Sequence, residues 1–196
     1  MQPAKINYKI YQGSTFQETF RWESETKVYV PIQSVTKAAP CVITTQTAHN
    51  LPIGWRFRVV GCGGMKELNS TVDSYYLSTQ TTSTTIEINQ VNSLQYTTYT
   101  SGGVIEYNQP VPLTGYLARM QIRETVDSTT VLHEATTENG QINIDQTNKT
   151  IQITLLGNVT QAFDFSTAVY SLELYNGNNV IPFIGGNITL VREVTR

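Results

Sequence analysis

The chain of 196 residues carries 13 basic and 15 acidic side chains, and only 14% of its residues are charged, against 39% hydrophobic and 10% aromatic. That balance supports real cores and argues against global disorder, while a formal net charge of −2 leaves no basic stripe to neutralise a nucleic-acid backbone. No apolar run approaches the ~18 residues that cross a bilayer as a helix, and two cysteines, Cys41 and Cys62, make neither a disulfide framework nor a zinc site by themselves.

From the N-terminus, Met1-Gln2-Pro3-Ala4-Lys5 leads directly into an alternating segment without an apolar signal-peptide core, which predicts synthesis in a cytoplasm. Gln12-Gly13-Ser14 signals a turn, and Phe16, Phe20 and Trp22 then share one face. Further on, Trp55, Phe57 and Val59 alternate with Arg56 and Arg58, and Ile86 and Ile88 alternate with Glu87 and Asn89. Tyr116, Ala118, Met120 and Ile122 point one way; Leu117, Arg119, Gln121 and Arg123 point the other, with Leu117 the apolar exception. Ile151, Ile153 and Leu155 form a third such face, Tyr170, Leu172 and Leu174 a fourth, and Gly186–Val194 alternates less cleanly because Val191 breaks the pattern. Asn139-Gly140, Asn176-Gly177-Asn178-Asn179 and Gly185-Gly186 read as turns between these strands. Asn158-Val159-Thr160-Gln161-Ala162-Phe163 offers an Asn cap and a single helical turn.

Twenty-nine threonines, with abundant Tyr, Val and Ile, suit pleated and half-buried surfaces. Composition shifts between about Gln33 and Glu106, which hold both cysteines, the Gly61-Cys62-Gly63-Gly64 run and the Thr-rich stretch 79–85. Pro31 and Pro110-Val111-Pro112 punctuate the two ends. A structureless loop of that length would be exceptional, so the segment is predicted to fold by itself. The expected architecture is all-β: a discontinuous, antiparallel, Ig-like β-sandwich of residues 1–32 plus 107–196, with a small β-barrel-like domain of residues 33–106 inserted.

Phosphate-binding loops, nucleophile elbows and paired-histidine metal motifs are absent from the sequence. His49 precedes Asn50-Leu51-Pro52 in an expected turn, where its ring can bond neighbouring backbone. His133 and Glu134 are adjacent on an expected strand, so they face opposite ways. A Cys62–His49 nucleophile pair, which needs a positive and partly exposed setting, and a pair of glycan-cleaving carboxylates, for which the 15 acids show no recognisable spacing, are the enzymatic alternatives. The reading is therefore a protein without catalytic residues, metal or cofactor. Tyr75, Tyr76, Tyr96 and Tyr99 are candidate surface contacts, because phenols supply amphipathic contact area at low entropy cost; the competing expectation is that at least half of them belong to the core of the inserted domain.

Tyr11-Gln12-Gly13-Ser14-Thr15-Phe16, Phe20-Arg21-Trp22 and the string Pro112-Leu113-Thr114-Gly115-Tyr116-Leu117-Ala118-Arg119-Met120-Gln121-Ile122-Arg123 resemble parts of a domain recurrent in phage virion proteins. With Asn139-Gly140, Tyr170-Ser171-Leu172-Glu173-Leu174 and Arg192-Glu193-Val194-Thr195-Arg196, the flanking halves resemble the N-terminal sandwich of baseplate upper proteins, which carry receptor-binding proteins. The inserted segment resembles small β-modules of phage tail proteins, similar to the first catalytic-cysteine half-domain of ubiquitin-activating enzymes. Its marks are Val42-Ile43-Thr44-Thr45, Ala48-His49-Asn50-Leu51, Gly54, Val59-Val60-Gly61, Gly64-Met65, Leu68-Asn69 and Tyr96–Gly103. That half-domain carries no activation chemistry, so none is transferred to Cys62. The resemblance implies a bacteriophage virion component, made in the bacterial host cytoplasm and acting as a tail, baseplate or connector adaptor. Its implied partners are other virion proteins and copies of itself, with a host-surface glycan or protein as a further partner and with neither nucleic acid nor membrane insertion. A receptor-binding adhesin and a head-decoration or head-fibre protein are the alternatives.

Overall fold

The computed structural model describes residues 2–193, of which the Val194-Thr195-Arg196 end of the expected terminal motif is not part. The chain is 52% strand and 4% helix, so the all-β expectation holds. Contacts divide it into two units, one of residues 1–21 with 112–196 and one of residues 22–111.

The first unit begins with β1 (Ala4–Lys5), β2 (Tyr8–Tyr11) and β3 (Phe16–Arg21). Between β2 and β3 the chain turns at Gly13, whose φ of +79° favours a residue without Cβ.

The second unit starts with β4 (Glu23–Val35) and continues through β5 (Cys41–Thr45), β6 (Arg56–Gly63), β7 (Tyr76–Leu77), β8 (Gln80–Thr81), β9 (Thr85–Ile88) and β10 (Ser101–Pro110). These form one curled half-barrel sheet of seven strands in the order β7-β6-β10-β4-β5-β9-β8. Trp55, Phe57, Val59, Ile43, Ile86, Ile88 and Ile105 are fully buried inside it. Each fully buried large aliphatic or Phe side chain adds ~1.5–3 kcal/mol of transfer free energy to that interior. The boundaries differ from those expected at 32/33 and 106/107. β4 and β10 are single long strands that run across both positions and pair with each other, from Val104 opposite Pro31 to Pro110 opposite Glu23. The Val111 N–H donates to the Trp22 carbonyl at 3.0 Å, so the two ends of the unit meet. A module whose ends meet can be spliced into a loop of another domain without stretching it.

The first unit resumes with β11 (Leu117–Arg123), β12 (His133–Thr136), β13 (Ile142–Asp145), β14 (Thr150–Leu155), the single-turn α1 (Gly157–Gln161), β15 (Thr167–Asn176) and β16 (Asn179–Val191). A six-stranded sheet follows the order β1-β16-β15-β11-β12 with β2 also on β16, and a three-stranded sheet follows β13-β14-β3. The two pack as a sandwich, and Tyr8 of the first sheet meets Phe16 of the second edge to face at 5.1 Å. Ala118, Met120, Ile122, Ile151, Ile153, Leu155, Leu172 and Leu174 are buried between them, as their alternation predicts, and Leu117 is exposed.

Three local expectations change. The sandwich is not wholly antiparallel, because β1 and β2 both lie parallel to β16. Gly185-Gly186 is no turn but the middle of β16, where a Cβ on Gly186 would collide with the Ile6 carbonyl; the missing side chain lets the N-terminal segment close in. Finally, α1 starts two residues earlier than an Asn158 cap implies, with Leu156 at the cap position and no side-chain capping bond. The turn at Gly177, with φ +58°, does form as expected and joins β15 to β16.

Candidate functional site

Period-2 alternation sorts β4, β6 and β10 into two faces. Val30, Ile32, Phe57, Val59, Ile105 and Tyr107 go to the core of the second unit. The opposite face then carries Lys27, Tyr29 and Pro31 from β4, Val104, Glu106 and Asn108 from β10, and Arg56, Arg58 and Val60 from β6. Register fixes the rows. Val104 lies between Pro31 and Val60, Glu106 lies between Tyr29 and Arg58, and Asn108 lies opposite Lys27.

Two carboxylates organise this face from beneath. Glu106 Oε1 accepts from Lys27 Nζ at 2.6 Å and lies 3.7 Å from Arg58 Nη1. Glu23 takes Arg56 in a two-pronged pair, with Nε to Oε1 and Nη2 to Oε2 both at 2.7 Å, while Asn108 Nδ2 donates to Oε2 at 3.1 Å. The side chains of Glu106 and Glu23 are only 12% and 15% exposed, whereas those of Lys27 and Arg56 are 40% and 48% exposed. The cations thus stand outward on covered anions. Hydrogen bonding to Glu106 raises the Lys27 pKa, and hydrogen bonding to Glu23 raises that of Arg56. The Arg56 guanidinium stacks 4.8 Å from the centre of the Tyr75 ring, and Lys27 lies within electrostatic reach of both Tyr75 and Tyr29.

The four tyrosines singled out from the sequence fall in different places. Tyr75 is exposed on this face beside Arg56. Tyr76 packs against the core with its ring 6.0 Å from Phe57, and its hydroxyl donates to the Leu68 carbonyl at 3.0 Å. Tyr96 and Tyr99 also pack against the core, and the Tyr99 hydroxyl is 2.9 Å from the Gly102 carbonyl. Tyr29, the most exposed aromatic of the unit at 58%, was not among them. Its signal was present: on a strand that buries Val30 and Ile32, alternation sends Tyr29 outward.

The groups capable of covalent or acid–base chemistry are held differently. His49 is buried; its Nδ1 accepts the Leu51 N–H at 3.0 Å, so Nε2 carries the proton and faces the Thr85 carbonyl at 3.1 Å. Burial pushes its pKa down, and the Tyr107 hydroxyl donates to its carbonyl. Burial pushes the Cys62 thiol up to about 11, with Cys41 adding to the effect, and raises Cys41 as well. Both are therefore neutral thiols at physiological pH. His133 Nε2 meets Gln141 Oε1 at 2.6 Å, its ring packs 5.4 Å from Phe163, and Glu134 bonds Gln121 instead. Among the described residues no three His, Cys, Asp or Glu side chains are grouped to hold a metal, and no helix is long and apolar enough to cross a membrane.

Hollows lie on the first unit. One, of about 330 Å³, lies over Gln121, Arg123, Val126, Val169, Ser171 and Asn187; another, of about 340 Å³, is lined by Glu124, Leu132, Phe163, Asp164 and Phe165. The β11–β12 loop that borders both exposes Val126 and Leu132. Compared with known proteins, the chain matches no family model and none of the curated sequences.

Proposed function

We propose that the chain is a non-enzymatic structural component of a bacteriophage particle, an adaptor that docks through its sandwich and presents the half-barrel unit. The observation that carries this reading is the disposition of its reactive groups: His49, Cys41 and Cys62 are sealed in backbone hydrogen bonds and apolar core, while its organised polar chemistry lies on an open sheet face. A surface of that kind is suited to making contacts. The string that carries the resemblance to baseplate upper proteins supports it too. Leu113 is buried, and residues 117–123 form β11, which lies between β15 and β12 in the larger sheet. Exposed Val126, Val131 and Leu132 beside the two hollows offer apolar area to neighbouring subunits.

The test is to purify particles and quantify the chain in them. Three, six or twelve copies per particle supports the adaptor, hundreds would move it to head decoration, and absence from the particle sinks the virion reading. Replacing residues 23–110 by a short linker separates the readings further: loss of adsorption with intact particles supports the receptor-binding adhesin, and loss of assembly supports a scaffolding role in the particle.

A further inference from the structure

We propose that the outer face of β4, β10 and β6 is a binding platform for a neutral oligosaccharide, with Tyr29 and Tyr75 stacking on sugar rings and Lys27, Arg56 and Asn108 meeting their hydroxyls. Three observations converge on this face. Glu23, Lys27, Arg56, Arg58 and Glu106 are concentrated on one patch of a chain in which only 14% of residues are charged. The two exposed aromatic rings of the unit, among the described residues, are Tyr29 and Tyr75; Lys27 lies within electrostatic reach of both, and Arg56 stacks on Tyr75. The polar groups are also held in place before any ligand arrives: the Glu23 fork fixes Arg56 and bonds Asn108, and Glu106 fixes Lys27.

The chemistry of such a patch selects its ligand. A sugar presents an apolar C–H face and a rim of hydroxyls that both donate and accept. A phenol ring covers the first. Ammonium and guanidinium N–H groups left over after the carboxylates are served, together with the Asn108 amide, meet the second. β4 and β6 are separated by two strand spacings, roughly 10 Å, which suits a short run of sugar rings laid across β10. The row of Pro31, Val104 and Val60 gives an apolar border for an N-acetyl methyl group. An anionic polymer fits less well, because Glu23 and Glu106 already answer the positive charge.

This goes beyond the particle role and is argued from the second unit alone, so either can fail without the other. The test titrates the purified full chain with a panel of neutral tetrasaccharides of glucose, galactose, mannose and N-acetylglucosamine, followed by isothermal calorimetry and by NMR of ring-labelled tyrosine. Saturable binding that shifts the Tyr29 and Tyr75 signals is expected, and Tyr29→Ala or Tyr75→Ala should each weaken it by about three- to tenfold. Both positions are solvent-exposed, so thermal unfolding of the variants should match the parent and confirm that they fold. No binding to any member of the panel at millimolar concentration overturns the proposal. So does binding that survives the double variant, or a preference for polyglutamate that disappears at high salt.

Discussion

His49 illustrates how completely single residues are committed. With Nδ1 accepting from Leu51 and Nε2 turned to Thr85, the ring has room for one proton and not two, and burial adds to the cost of charging it. Its folded pKa lies below the ordinary 6.5, so the unfolded chain binds more protons in that range. The stability this gives is fully present above pH 6.5 and falls as pH drops below it towards the folded value. Melting temperature measured across this window should decline with acid, and His49→Asn, which keeps an acceptor but cannot charge there, should flatten that part of the profile. An equal decline in the variant would show that other groups govern it. Gly186 is committed by space instead. Gly186→Ala puts a methyl group against the Ile6 carbonyl and should cost ~1–3 kcal/mol in denaturant unfolding, whereas Gly185→Ala, with its nearest neighbour at 3.3 Å, should cost less.

At the scale of elements, pairing decides protection. β10, β4 and β5 lie inside the seven-stranded sheet, and β16, β15 and β11 lie inside the larger sheet of the sandwich, whereas β7 and β8, β1, β2 and β12, and β13 and β3 lie at the ends of their sheets. Hydrogen exchange followed by mass spectrometry should find the slowest amides on the inner strands and faster exchange on the end strands. Slow exchange throughout β12 or β8 would mean that a partner chain or a second copy covers that edge. Element type was readable from sequence wherever one face is apolar. Trp55, Phe57 and Val59 announced β6, and Ala118, Met120 and Ile122 announced β11. It was less readable at Gly185-Gly186, because the same two residues that mark a turn also mark a strand approached closely by other backbone, and only the position of Ile6 distinguishes the cases.

At the scale of the molecule, two separate cores imply two cooperative units. A fragment of residues 22–111 should fold alone, because its ends already pair through β4 and β10 and its core is internal. A β-type circular dichroism spectrum with a single cooperative melt would support this. An unfolded fragment would show that the unit depends on the rest of the chain.

Of the candidate site, the sequence supplied Tyr75 and the residue types, and alternation along β4 also contained Tyr29. It did not supply the partnership of Glu23 with Arg56 or of Glu106 with Lys27, since these residues lie 33 and 79 positions apart. By itself the sequence determined what is local: strand content and which residues alternate inward. Register, parallel or antiparallel pairing, the reach of β4 and β10 across the expected boundaries, and the gathering of charge under two exposed rings were decided only by tertiary structure. The physical reason is that periodicity constrains the face on which a side chain lies, whereas its neighbours across a sheet depend on distant strands competing for the same edges.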